Sequence, residues 1–178
     1  MLQGDRVGLV AFAGTSYLQC PLTLDYSAAH IFLNAIDTQL IPVQGTAIGH
    51  AIRNSVKAFN KEDVRSRAII LITDGEDHTG DAFPSAMWAK ENEIKIFAIG
   101  IGKDIGAPIP NSEPGAPGFK KDVNGEVILT KLDEPTLQKI ALETGGSYVR
   151  SVTGDMDLQK IYLKSIKNKV EKKRIKKE

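Results

Sequence analysis

A single cysteine, Cys20, stands in 178 residues, so no internal disulfide can form and a disulfide framework is excluded. Charge of either sign is not in excess. Lys and Arg number 23 against 22 Asp and Glu, a formal net charge of +1, which gives no case for nucleic acid as a partner of the whole molecule. No apolar run reaches the roughly 18 residues of a membrane span, and the opening Met1-Leu2-Gln3-Gly4-Asp5 has no secretory leader pattern. No Gly-x-Ser-x-Gly elbow is present, and His30, His50 and His78 lack zinc-type spacing, so the common hydrolase signatures are missing. What remains, 42% hydrophobic and 25% charged residues, is ordinary for a soluble globular protein whose length suits one α/β domain.

The charge that is present is unevenly placed. Residues 164–178 hold eight Lys or Arg and two Glu, a local +6, which leaves −5 for the rest of the chain. This segment reads as a basic helical tail, 164–178, after a domain covering 1–163.

The most informative stretch is Ala68-Ile69-Ile70-Leu71-Ile72-Thr73, followed at once by Asp74-Gly75-Glu76-Asp77. An apolar, β-branched run ending in a carboxylate-rich turn is the pattern of a buried parallel strand that delivers acids to the carboxyl edge of a sheet. In open α/β sheets that edge is where ligands bind. Upstream, Gln44-Gly45-Thr46-Ala47-Ile48-Gly49 places a hydroxyl at a loop-to-helix junction. Hydroxyl and carboxylate are oxygen donors that suit a hard cation such as Mg²⁺. Each residue also has a plainer role. Asp before Gly is a routine turn pair, and Thr at the start of a helix is an ordinary N-cap; neither role excludes ligand binding.

Along the chain, a buried strand is expected at 7–13 and a second strand at 17–22, with Pro21 marking an edge. A helix follows over 25–37, capped by Asp25, with Ala28, Ile31, Phe32, Ala35 and Ile36 on one face. A second helix is expected over 47–60, then the Ala68 strand, a helix over 81–92 and a strand over 95–101. Residues 102–118 form a loop with four prolines. It leads to a hairpin of 119–122 against 126–130, turning at Asn124-Gly125 as a type I′ turn. A helix over 134–144 ends at Gly145-Gly146, a short strand covers 147–151, and a last helix starts near Asp155. Alternating strands and helices predict a doubly wound, mostly parallel sheet with helices on both faces. Gly100-Ile101-Gly102-Lys103-Asp104-Ile105-Gly106 is no phosphate loop, because its spacing is wrong and a Pro-rich loop follows it.

Gly4-Asp5-Arg6-Val7-Gly8-Leu9-Val10-Ala11-Phe12, Leu22-Thr23-x-Asp25-Tyr26, Gln44-Gly45-Thr46-Ala47-Ile48-Gly49 and the run from Arg67 to Asp77 resemble the von Willebrand factor A (VWA) family. Within it they are similar to the bacterial membrane-anchored Bat (aerotolerance) proteins, usually encoded near MoxR-type AAA+ ATPases. The resemblance implies a metal-ion-dependent adhesion site to which this chain brings Thr46 and Asp74, with Gly45, Gly75, Glu76 and Asp77 beside them. It implies Mg²⁺ or Mn²⁺ in the intact site, and weak or absent binding here. The family's Asp-x-Ser-x-Ser motif occurs nowhere in this sequence. The strand and helix that carry it are therefore expected to be missing, which leaves a gap or distorted pairing between the Val7 and Ala68 strands.

The function so implied is a metal-dependent protein–protein interaction module and not an enzyme. Its partner would present an acidic residue; other Bat-like VWA proteins or a MoxR-type ATPase system are candidates, and nucleic acid is not expected. The full-length parent would be membrane-associated through segments outside this soluble stretch, with 164–178 as a juxtamembrane tail. Two alternatives stand beside it: a Mg²⁺-dependent phosphohydrolase using Asp74, and a scaffold that binds no metal.

Overall fold

The computed structural model of the chain describes residues 4–59, 66–77, 79–111 and 117–151. The expected last helix and the basic tail lie outside these residues, as does His78. Strand β1 (Val7–Phe12) pairs antiparallel with β2 (Ser16–Thr23) through the turn at Gly14-Thr15. Helix α1 (Tyr26–Asn34) follows, its first turn closed by the Asp25 carboxylate, which accepts from the Ala28 amide at 3.0 Å. Then come α2 (Ile48–Ala58), β3 (Arg67–Thr73), α3 (Ala82–Glu91) and β4 (Ile94–Gly100). A small ribbon of β5 (Ala107–Pro108) and β6 (Leu129–Thr130) precedes α4 (Glu134–Glu143) and β7 (Tyr148–Arg150).

Strands β3, β4 and β7 form a parallel sheet in the order β3-β4-β7, with Thr73 opposite Gly100 at the end of the β3–β4 ladder. Strands β1 and β2 form a separate sheet, and β1 makes no ladder with β3. The expected gap between the Val7 and Ala68 strands is therefore present. Helix α2 bridges it, packing on β1, β2 and α3. Phe12 of β1 reaches the main core, formed by Ile69 and Leu71 of β3, Ile94, Ile96 and Ala98 of β4, and apolar faces of α2, α3 and α4. The fold is α/β with a doubly wound, mostly parallel sheet.

Four expectations about burial and turns are corrected. The Ala68 strand is buried on one face only: Ile69 and Leu71 are buried, while Ile70 and Ile72 are each 47% exposed. Their partners on the same face of β4, Phe97 and Ile99, are buried, so the exposure of Ile70 and Ile72 goes with the open edge of β3. For the same reason β1, expected to be buried, is half-buried along its length. On α1, Ala29 is the buried residue; Ile31, Phe32 and Ile36 of the expected core stripe are exposed, since the helix packs only on β1 and β2. The hairpin forms, with Lys121 opposite Val127, but its turn is not type I′. Gly125 has φ 85° and Asn124 does not share the left-handed region. The Gly125 amide donates to the Asp122 carbonyl at 3.0 Å, and the Asp122 carboxylate accepts from the Asn124 and Glu126 amides, both at 2.9 Å. An aspartate that holds its own turn this way selects a type I turn closed by a left-handed glycine.

Candidate functional site

The carboxyl end of β3 leaves Thr73 and enters Asp74-Gly75-Glu76-Asp77. The Thr73 carbonyl accepts from the Ile101 amide at 2.9 Å, and the Asp74 carbonyl from the Asp133 amide at 2.8 Å, so this turn is tied to β4 and to the start of α4. Gly75 is required here. Its φ is 84°, and a Cβ would lie 2.8 Å from the Asp133 carbonyl oxygen and 2.9 Å from Leu137. Asp74 Oδ1 accepts from the Glu76 amide at 3.3 Å, the local turn expected of an Asp at this position.

The other carboxylate contacts come from far away in sequence. Thr130 Oγ1, at the end of β6, donates to Asp74 Oδ2 at 2.8 Å and lies 3.4 Å from Glu76 Oε2. The Lys131 amide donates to Glu76 Oε1 at 2.8 Å. Asp77 faces elsewhere: Oδ1 accepts from Thr79 Oγ1 at 2.8 Å, and Oδ2 from the Ala82 amide at 3.0 Å at the start of α3. Of the three clustered acids, Glu76 holds the excursion between β4 and α4, and Asp77 caps a helix. Asp74 sits at the strand end itself, its carboxylate contacted among the described residues by the Thr73 and Thr130 hydroxyls and the Glu76 amide.

The second half of the site is the 44–46 loop. It is fixed to the end of β1 by the Ala47 amide donating to the Ala13 carbonyl at 2.7 Å and the Gly14 amide to the Val43 carbonyl at 2.9 Å. Thr46 is not the N-cap of α2. Ala47 holds that position and makes no side-chain cap, because the loop's attachment to Ala13 starts the helix one residue later. The Thr46 hydroxyl therefore makes no hydrogen bond among the described residues. Close backbone packing holds the neighbouring helix starts together: a Cβ on Gly49 would meet the Asp81 carbonyl oxygen at 2.6 Å. The excursion also reaches this loop, where Lys120 Nζ lies 3.4 Å from Gln44 Oε1. One ribbon thus touches both sequence-predicted loops, at Asp74 and at Gln44. No hydrogen bond among the described residues joins Thr46 to Asp74.

Thr130, Lys131 and Lys120 carry no signal in the sequence. They lie on or just after the predicted 119–130 hairpin, and only the folded ribbon brings them to the two loops. The base of the excursion is clamped by Arg150, which lies 3.3 Å from Asp104 Oδ1 and 3.0 Å from Glu134 Oε1. The guanidinium holds the Asp104 carboxyl below its usual range. Next to it, Tyr148 has a buried hydroxyl with no hydrogen-bond partner among the described residues. Burial, and secondarily the Glu134 charge, push its phenol above the ordinary value of 10.0.

Whether a divalent cation fits can be judged from the donors. Thr46 offers a free hydroxyl, and Asp74 offers lone pairs beside those its partners use. Among the described residues no group of three or more His, Cys, Asp or Glu could hold a metal ion. The described side chains therefore fit as part of a site and not as a closed cage.

An α/β domain with an acidic turn at the end of a parallel strand and a hydroxyl-bearing loop before α2 fits the von Willebrand A class. The von Willebrand factor type A domain model matches residues 2–164, and the chain belongs to that family. It is similar to an aerotolerance-related membrane protein from Bacteroides fragilis, at 39% identity and TM-score 0.84 over 91% of this chain and 79% of that one. It is similar as well to the conserved hypothetical protein BatB from Bacteroides thetaiotaomicron, at 41% identity and TM-score 0.84 over 90% of this chain and 77% of that one. A UPF0353 protein from Mycolicibacterium paratuberculosis is 29% identical over 174 residues, 94% of this chain and 49% of its own length. The chain spans about half the length of the curated relatives it matches.

Proposed function

We propose that this domain is a protein-interaction module, not an enzyme, which engages an acidic group of a protein partner through Mg²⁺ or Mn²⁺ held at Thr46 and Asp74. VWA domains are in general interaction modules of this kind. The observation that supports the assignment is the free Thr46 hydroxyl, released from helix capping by Ala47, on a loop that the 120–131 ribbon links to Asp74. When bound, the cation would supply an open coordination position for the partner's carboxylate. Thr46 and Asp74 leave most of an octahedral shell to water, and Mg²⁺ sheds water reluctantly, so binding by this chain alone is expected in the millimolar range. Other Bat-like VWA proteins and a MoxR-type ATPase system are the partners proposed. The similarity to membrane proteins supports a place beside a membrane; no helix among the described residues is long and apolar enough to cross one.

Mn²⁺ tests this directly, because it broadens the NMR signals of nearby amides even when it binds weakly. Broadening centred on residues 45–47 and 74–76, and lost in Asp74→Ala, is the expected result. Broadening elsewhere would move the site, and none at millimolar Mn²⁺ would favour a metal-free scaffold. Metal-dependent turnover of a generic phosphate ester, abolished by Asp74→Ala, would replace the binding reading with a phosphohydrolase. Against that outcome, the strands ending at Phe12 and Gly100 lead into Gly14 and Gly102 and bring no further carboxylate to their ends.

A further inference from the structure

On the outer side of α2 lies an open cleft of about 210 Å³, lined by Thr15, Ser16, His50, Arg53, Asn54 and Lys57. Positions 50, 53, 54 and 57 share one helix face by their three- and four-residue spacing. The lining holds two permanent cations, Arg53 and Lys57, and no acid. This is not a sample of a generally basic surface, since residues 1–163 together carry −5.

Arg53 is fixed in place. Its Nη1 donates to the buried Ser85 Oγ at 2.6 Å and its Nη2 to Asp81 Oδ2 at 3.1 Å, while the side chain remains 32% exposed. Two of the five guanidinium donors are used, and the others remain for a ligand. The opposite wall is equally fixed, because Asn54 Nδ2 donates to Ser16 O at 3.0 Å and to Ser16 Oγ at 2.8 Å. A strut between α2 and α3 explains Arg53 by itself. It does not explain exposed Lys57, which has no ion pair among the described residues, or His50 on the same face.

We propose that this cleft binds an acidic peptide segment, in extended conformation, with carboxylates on alternate residues. Arg53 and Lys57 are four residues apart, about 6 Å along the helix axis. Alternate residues of an extended strand are about 6.6 Å apart on one side, so one carboxylate reaches the guanidinium fork and the next reaches the ammonium. His50 lies about 10 Å from Lys57 along the axis, a span that a single phosphate cannot bridge. The proposal shares with the reading above only the acidic protein partner, and it needs no cation.

The test is an NMR titration of the full chain with EDTA present, which separates it from the Mn²⁺ experiment. The probes are a Gly-Glu-Gly-Glu-Gly peptide, its Gln counterpart and inorganic phosphate. Saturable shifts at residues 15–16 and 50–57 are expected with the Glu peptide, weakened by high salt and absent with the Gln peptide. Lys57→Glu, at an exposed position, should weaken binding about tenfold; Lys57→Arg should retain it. Equal binding by both peptides, shifts spread over other lysines, or no effect of Lys57→Glu would overturn the proposal. Phosphate binding as tightly as the Glu peptide would also overturn it, in favour of a compact anion site.

Discussion

Thr130 Oγ1 donates to Asp74 Oδ2 at 2.8 Å across a separation of 56 residues. This bond joins the end of an otherwise exposed ribbon to the acid at the end of β3. With the Lys131 amide on Glu76 Oε1 at 2.8 Å, it makes the acidic turn and the ribbon one unit.

Removing that hydroxyl should loosen the ribbon and leave the rest folded. Thr130→Val is expected to lower stability by about 1 kcal/mol, the usual net value of such a bond, and Thr130→Ser to restore it. Urea unfolding measures the energy. Amide exchange of residues 119–131 should rise in the valine variant and return to wild type in the serine variant. Unchanged exchange in Thr130→Val would show that the bond does not hold the ribbon.

Gly146 should tolerate no side chain. A Cβ there would sit 1.8 Å from the Ile96 carbonyl oxygen, an impossible contact with the backbone of a buried strand. Gly146→Ala is expected to cost more than about 3 kcal/mol or to abolish folding, whereas Gly125→Ala, with nothing within 4 Å, meets only the strain of its φ of 85°. Thermal melts of the two variants should rank in that order.

Alkaline stability should depend on Tyr148. Its folded-state pKa is raised, so its contribution is fully present below the unfolded value of 10.0 and is lost as pH rises through the folded value. Absorbance of the phenolate should show a component titrating above 10.0, absent from Tyr148→Phe, until the chain unfolds. Tyr148→Phe removes a buried hydroxyl with no partner and should leave neutral-pH stability equal or higher. A loss of stability in that variant would contradict the environment described.

The open edges of β1 and β3 should make the isolated chain marginally stable or self-associating. Each row of backbone groups lacks a ladder partner among the described residues, and Ile70 and Ile72 are exposed beside one of them. Sedimentation is expected to show concentration-dependent species, reduced by Ile72→Lys. A monomer with a high, cooperative melting midpoint would count against this.

Much of this architecture is local information. Asp25 and Asp133 cap α1 and α4, as their positions before apolar-periodic segments require. The Arg67–Thr73 strand, its acidic turn and the irregular segment after β4 follow from β-branched runs, clustered carboxylates and prolines. These are short-range preferences, and a sequence states them within a few residues. The gap between β1 and β3 was legible too, through a missing motif.

Contacts closed over long loops are a different matter. Periodicity marked Ile31, Phe32, Ile70 and Ile72 as core residues, and it correctly showed that each lies on an apolar face. Whether each position on that face is covered depends on the adjacent element, and the edge of β3 has none among the described residues. Thr46 looked like a helix cap; a bond from Ala47 to Ala13, across the loop, moved the helix start and freed its hydroxyl. Thr130 carried no signal at all. The sequence by itself determined which segments become strands and helices and where acids meet the sheet edge, because backbone propensity and side-chain period act locally. Only the tertiary structure decided which apolar faces are covered and which distant hydroxyl and amide reach the acidic turn, because packing joins residues whose separation along the chain leaves no local trace.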